Sequence, residues 1–563
     1  MTDGQGYYAY LPALFIYQDL HFQFVDDINE SYYPEGKRAN YVVPTQDGNV
    51  NKYFSGTAVA QAPFFLVACA ISSLVGVPVD GYSWPFQLMI GLAAIASVSL
   101  GLLFLGKLLV GLGIKPNISA FTLVLILFGT NLFYYVIYEP SMSHAYTFCT
   151  VSGFLYFTRR SFNEVTKSNV VLAAVFLGLT ALIRPTNGLI VLAIPAVTSG
   201  LFGTISLLER LLSKPRIFAF SAFIFLAIVA IQPIIYMLQI GSPMVWSYGE
   251  EGFNFLSPEV SNVLFSYRKG LFVYCPLLLV AVAGAIAGIN RKKAGFTWLV
   301  VALSAFTWLI SSWWMWYYGG SYGHRAFIDI YPLFAIGLAF ALQYGLWFLG
   351  PRIVLMLSLI FIPLQLVQTY QYQKHIIPFD NMSKDKFWNL FLRTGNDLAW
   401  YYSGYEGEDS YAGLDSVSVK HNMEEMLGWG NESQIIADAG IDASKAAKMS
   451  SEDSYGITLR KPVSELSSAF NVIRISGNVK ANSWTTDLSF VCSIEDSLGN
   501  GYYWKRYPLR PQFEGRNEWS AVTAVFKCGF PKSSSDKVVI YPMKSDRATV
   551  LLDDFEITFV SAK

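Results

Sequence analysis

Charge is scarce in this chain. Asp, Glu, Lys and Arg make up 14% of its 563 residues, and 40 basic side chains balance 40 acidic ones. A protein that grips a polyanion needs a basic face, so zero net charge without any basic stripe excludes a nucleic-acid partner. Cysteine is scarcer still. Cys69, Cys149 and Cys275 stand in apolar runs, which leaves Cys492 and Cys528 in a polar tail. Those two are open to a disulfide, if the tail lies outside the cytoplasm, or to a pair of buried thiols. Neither a cleavable leader nor a lipidation motif is evident. What is abundant is apolar surface: 53% hydrophobic and 16% aromatic residues are too many for a water-soluble globule, and the composition is that of a membrane protein.

Runs long enough to span, or nearly span, a hydrocarbon core of about 30 Å occur near residues 84–106, 119–137, 141–158, 217–239, 270–289, 295–315, 326–348 and 352–371. A further run, 168–201, is interrupted by Arg184-Pro185-Thr186-Asn187 and is expected to fold as two short helices, ten in all. Twelve basic residues fall in one set of loops: Lys107, Lys115, Arg159, Arg160, Lys167, Arg210, Lys214, Arg216, Arg291, Lys292, Lys293 and Arg352. The bias of Lys and Arg toward the cytoplasm puts that set inside and the loops near 80, 139, 184, 240–269 and 316–325 outside. The run 56–77 carries Gln61 and Pro63. It is either an interfacial or re-entrant helix, with residues 1–55 outside, or a true span that puts them in the cytoplasm.

The expected fold is a polytopic helical membrane domain over residues 1–371, its first outer loop covering 1–83. A linker over 372–409 and an external β-sandwich over 410–563 follow. The tail alternates apolar and polar residues in FNVIRISGNVKA, DLSFVCSIED, SAVTAVFKCGF, KVVIYPM and ATVLLDDFEITFV, with turn residues between, as strands of a sandwich do. Its ending, LLDDFEITFV, resembles the last strand of jelly-roll carbohydrate-binding modules, which points only weakly to sugar binding; a passive spacer explains it as well.

Charged residues on the outer side stand out against this background. Asp3 is either a solvated N-terminal acid or cap, or a base beside a membrane-surface helix. Arg184, in LIRPTNG, and Arg325, after WWMWYYGGSYGHR, are framed by Gly, His and aromatics. Planar guanidinium groups suit phosphate oxygens. Lys52 precedes the interfacial run, whereas Arg268 and Lys269 are expected to snorkel to headgroups. Asp26, Asp27, Glu139, Glu250 and Glu251 share the outer side with His144 and His324. Spread acids and a histidine leave a divalent metal open as a cofactor, although no tight ligand spacing is present.

As an ordered set, DGQGYYAYL, an interfacial helix, EPSMSHAYTF, LIRPTNG and WWMWYYGGSYGHRAF resemble the GT-C superfamily of membrane glycosyltransferases, which includes the protein mannosyltransferases and the lipid A aminoarabinose transferases. The resemblance covers residues 1 to about 371. It implies a polyprenyl-phosphate-linked sugar as donor and an acid of the first outer loop as base, which falls on Asp3. It also implies basic residues on the lipid phosphate, here Lys52, Arg184 and Arg325. Apart from the resemblance, Asp26, Asp27, Glu139, His144 and His324 stand as candidate substrate or metal contacts. The acceptor would be a glycan, lipid or protein, and the protein would sit among the lipids of a bacterial inner membrane with its site facing the periplasm. Members carry a spanning helix ahead of that loop, so either the true start lies upstream of Met1 or this copy is truncated. A transporter or flippase of a lipid-linked glycan is the alternative, since broken helices with polar residues also mark transport sites.

Overall fold

The computed structural model describes residues 2–32, 41–45, 47–249, 251–347, 349–379, 382, 384–394, 416–466, 470–483, 488–509, 517–529 and 531–561. It divides between Thr394 and Gly395 into a helical unit and a β unit. Six described helices are long and apolar enough to cross a membrane: Gly56–Val75, Trp84–Gly111, Pro215–Ile240, Ala294–Ser311, Arg325–Tyr344 and Pro351–Gln373. A bent pair, Pro185–Val197 with Leu201–Leu212, adds a seventh. Two of the ten expected helices are shorter than the apolar runs suggested, and a third run breaks where expected. Run 119–137 breaks into Pro116–Phe128 and Leu132–Ile137, and 270–289 breaks before Leu277–Asn290, while 168–201 ends its first helix at Ile183, at the break expected from Arg184-Pro185. Proline causes two of these breaks: Pro276 and Pro185 lack the N–H that continues a helix and disfavour helical geometry in the residue before them.

The helices share two distinct ends. At one, the basic loops hydrogen-bond to one another. Arg159 Nε donates to Gly111 O (3.2 Å), Arg210 Nη2 to Phe162 O (2.8 Å), Lys214 Nζ to Val165 O (2.7 Å) and Arg291 Nη2 to Tyr344 O (2.9 Å). At the other lie Asp3, Arg184 and Arg325. The first half of the Gly56–Val75 helix packs at this second end. A Cβ on Gly56 would lie 2.3 Å from Ile183 N. Gln61 Nε2 donates to Tyr146 Oη in the first turn of Ser143–Asn163 (3.0 Å), and Phe65 packs on Phe86 in the first turn of Trp84–Gly111 (5.2 Å between centroids). Beyond the helix, Tyr8 Oη donates to Gly81 O. These partners of Gly56, Gln61 and Phe65 lie at one end of the bundle, while the length and composition of the helix also suit a span.

The described residues of 372–394, expected to start a linker, belong to the helical unit. Gln371 Nε2 donates to Leu390 O (2.6 Å) and Arg393 O (2.7 Å). Lys269, expected at the headgroups, is 2% exposed and donates to Ser321 O and Phe379 O. Buried backbone carbonyls satisfy its ammonium in place of water. Arg268 lies over the Tyr317 ring at 3.4 Å. The remainder of the expected linker, 395–409, lies outside the described residues.

The β unit is two antiparallel sheets. One carries Trp519–Lys527, Val472–Ala481, Val550–Val560, Ala446–Met449 and Ile435–Ile436 in that order, with Ser416–His421 also paired to Val550–Val560. The other carries Leu459–Pro462, Lys537–Lys544, Leu488–Glu495 and Gly501–Pro508. Alternating residues of both sheets, among them Ile473, Ile475 and Ile557 facing Phe490, Cys492 and Val538, form one core. The strand pattern read from the tail is therefore present. The disulfide is not: Cys492 and Cys528 stand as free thiols.

Candidate active site

The site begins with two glycines. The Thr2–Tyr8 helix carries Asp3, and a Cβ on Gly4 would meet Ser141 Oγ at 2.1 Å, whereas one on Gly6 would meet the Tyr53 ring at 2.3 Å. Their bare backbone lets the helix press against both residues, bringing Asp3 within reach of Tyr53, whose Oη donates to Asp3 Oδ1 (2.7 Å). Gly6→Ala should therefore push Tyr53 away from Asp3. It is expected to lower the melting temperature of the purified protein by the equivalent of about 1–3 kcal/mol of overpacking. Gly188→Ala, whose Cβ would meet nothing within 4 Å, should melt as the wild type does.

Arg184 owes its place to Pro185, which ends the Lys167–Ile183 helix and leaves Arg184 extended (φ −149°). Arg325 opens a short 3₁₀ segment, Arg325–Ile330, ahead of the Tyr331–Tyr344 helix. The side chains meet in one cavity of about 370 Å³, lined by Asp3, Lys52, Arg184 and Arg325 and by Asp329 and Glu251. Arg325 Nη2 donates to Asp3 Oδ2 (2.6 Å), while its buried Nε has no hydrogen-bond partner among the described residues. Arg184 Nη2 donates to Tyr7 Oη (3.2 Å), and its Nη1 lies 3.7 Å from Asp329 Oδ2. Lys52 Nζ is paired with Glu251 Oε1 (2.5 Å). Phe306, Leu309, Ile310 and Trp313 form an apolar wall.

Beneath Arg184, Asp329 is buried and fully engaged. His144 Nδ1 donates to its Oδ1 (2.8 Å) and Asn187 Nδ2 to its Oδ2 (2.7 Å). His144 is fully buried and its Nε2 has no hydrogen-bond partner among the described residues. His324 is also buried, donating from Nε2 to Trp316 O (3.0 Å), where it ties the aromatic loop together. Neither histidine lines the cavity. Asp26 and Asp27 are exposed on the Val25–Tyr32 helix and do not line it either, because that helix buries Val25, Ile28 and Asn29 and turns its acids outward. Glu139 stands behind the cavity. Burial pushes its carboxyl up, opposed by Arg325 and reinforced by the charge of Asp3. Glu250 lies outside the described residues. Asp329, Asn187, Tyr7 and Tyr53 were missed as site residues in the sequence, although an acid inside an apolar run, as Asp329 is in 326–348, is itself a signal of function.

Asp3 gives its oxygens to Tyr53 and Arg325, and Asp329 gives its own to His144 and Asn187. Among the described residues no three His, Cys, Asp or Glu side chains group to hold an ion.

Burial alone would raise the Asp3 carboxyl. The charge of Arg325, hydrogen bonds from Tyr53 and Arg325, and the charge of Arg184 outweigh it and hold Asp3 at about 2, below its ordinary 3.8. A carboxyl depressed in the folded state stabilises the protein at pH values above its unfolded pKa, and that contribution, about 2 kcal/mol, is lost as pH falls from about 4 toward 2. Melting temperatures measured across that window should fall more steeply for the wild type than for Asp3→Asn.

No family model matches the chain, and no curated protein matches it. Among solved structures, the arabinosyltransferase EmbB of Mycobacterium smegmatis is similar over 92% of this chain and 65% of its own, at 11% identity and a TM-score of 0.30. The archaeal oligosaccharyltransferase AglB of Archaeoglobus fulgidus, solved with an inhibitory peptide and a dolichol-phosphate, is similar over 67% of this chain and 55% of its own, at 10% identity and a TM-score of 0.32. The chain thus spans less than two thirds of either length. The CBM22-1 xylan-binding domain of Paenibacillus barcinonensis Xyn10C is similar over 27% of this chain and 97% of its own, at 18% identity and a TM-score of 0.20.

Proposed function

We propose that this integral membrane protein is a glycosyltransferase of the GT-C type that moves a sugar from a polyprenyl-phosphate donor to an acceptor, with inversion. The observation that carries the reading is one cavity in which the Asp3 carboxylate stands with two guanidinium groups, Arg184 and Arg325, beside an apolar wall. Guanidinium groups bind phosphate oxygens in pairs, and Phe306, Leu309, Ile310 and Trp313 offer a surface that a lipid tail can cover. Lys52 adds a positive charge at the rim, although its pairing with Glu251 leaves it less available than the arginines.

In this reading the acceptor's hydroxyl oxygen, or amine nitrogen, attacks the anomeric carbon from the side away from the phosphate. A new bond from carbon to the acceptor forms as the bond from carbon to the phosphate oxygen breaks, and its electron pair leaves with the phosphate. Asp3 takes the acceptor's proton. Arg184 and Arg325 meet the charge that grows on the leaving phosphate. One displacement inverts the anomeric centre.

The membrane is proposed to be a bacterial inner membrane, with the cavity and the β unit on the periplasmic side. The hydrogen-bonded basic loops at the opposite end suit a cytoplasmic face. The acceptor is a glycan, lipid or protein of that outer compartment. Purified protein incubated with defined polyprenyl-phosphate sugars and candidate acceptors tests the reading. A new glycosidic bond, with release of polyprenyl phosphate, is the expected result. Movement of intact lipid-linked sugar across vesicles, without bond formation, would replace it with a flippase.

A further inference from the structure

Arg325 is asked to do two things at once. Its Nη2 is committed to Asp3 at 2.6 Å, inside a cavity where the paired side chains are only 11% and 22% exposed. Its Nε is buried with no hydrogen-bond partner among the described residues, so the group has donor capacity left over. A carboxylate locked to a guanidinium in a poorly solvated place holds its lone pairs against the cation and is a weak base. Tyr53 grips the other oxygen of the same carboxylate and is fixed in turn: its ring lies against Gly6, and its backbone N–H donates to Asn51 Oδ1 (3.0 Å). Asp3 would therefore stay in position if Arg325 let go.

We propose that Arg325 is shared between Asp3 and the donor phosphate: in the empty cavity it neutralises Asp3, and the incoming phosphate draws it off, leaving Asp3 on Tyr53 alone as a competent base. The inference rests on the donor reading above and adds an order to it. The acceptor is deprotonated only after the donor has bound, so an acceptor hydroxyl, or water, that enters an empty site meets a silenced base. Tyr53 is then a positioning residue, and Arg325 both binds the leaving group and masks the base.

The competition predicts a double-mutant cycle that needs no knowledge of the sugar. Decaprenyl phosphate is titrated into the full chain in detergent, read by the fluorescence of Trp246 and Trp313 in the cavity wall and by calorimetry. Asp3→Asn, which frees Arg325 from a charged partner, should tighten Kd about tenfold. Arg325→Gln should weaken it, and adding Asp3→Asn to Arg325→Gln should change nothing further. Two outcomes overturn the proposal. One is that Asp3→Asn alone leaves Kd unchanged or weaker. The other is that it tightens Kd as much in the Arg325→Gln background as in the wild type, which would mean simple repulsion between Asp3 and the phosphate. Failure of the wild type to bind decaprenyl phosphate would instead remove the donor reading, and the inference with it. Asp3→Ser repeats the cycle should Asp3→Asn fold poorly, and melting temperatures accompany each Kd.

Discussion

Asp3→Asn should abolish sugar transfer while leaving the protein folded. The carboxamide has the shape of the carboxylate, and its Oδ1 can still accept from Tyr53 or Arg325 in place of the carboxylate oxygens. What it loses is the negative charge and the ability to take a proton. General-base contributions run to about 10²–10⁴-fold, so the rate of glycosidic bond formation should fall by at least about a hundredfold. The measurement is the transfer assay with polyprenyl-phosphate sugars, run beside thermal melting at neutral pH. A rate near that of the wild type would move the base elsewhere. Of the other acids considered from sequence, Asp26 and Asp27 point to solvent away from the cavity, which leaves Glu139, already coupled to both Arg325 and Asp3, and Glu251, which lines the cavity paired with Lys52.

Asp329→Ala should have the largest effect on stability. Its carboxylate takes hydrogen bonds from His144 Nδ1 and Asn187 Nδ2 and lies 3.7 Å from Arg184, with 2% of its side chain exposed. Alanine would strand these donors without water to replace the acceptor, and removing one partner of a buried charged network costs on the order of 3–5 kcal/mol. The same change lets Arg184 drift from the position at which Tyr7 receives it, so residual activity should show a weakened affinity for the donor. Asp329→Asn keeps one acceptor and should fall between the two. Melting curves in detergent read the first effect, and donor titration of whatever remains folded reads the second. A variant that melts with the wild type would show that Asp329 carries no structural charge network.

Much of the helical unit was legible one segment at a time. Apolar runs marked most of the long helices, and Pro185 marked the break that frees Arg184, because a missing N–H acts within one turn regardless of what surrounds it. Strand alternation marked the β unit for the same local reason. Runs that looked long enough to span were cut short where the chain turns inside the bundle, as at Pro276. The Gly56–Val75 segment shows the limit most clearly. Its composition suits a span or a surface helix equally, and only the folded structure shows that its first half packs on Ile183, Tyr146 and Phe86.

The candidate site was half legible. Asp3, Arg184 and Arg325 could be singled out because charges are rare here and each stands where the local pattern does not ask for one. Their pairing could not. Asp3 and Arg325 are 322 positions apart, and nothing in either neighbourhood specifies the other. Likewise, Asp26 and Glu139 look alike as acids in outer loops, yet one ends in solvent and the other behind the cavity.

The amino-acid order by itself determined membrane residence, helix breaks, strand alternation and an inventory of rare polar side chains, since each follows from backbone sterics and from hydrophobic periodicity over a few turns. Tertiary structure decided which charges meet, which acids are buried and what the helix after Lys52 packs against. Coulombic attraction and desolvation depend on distances in space, and those exist only once remote segments have packed.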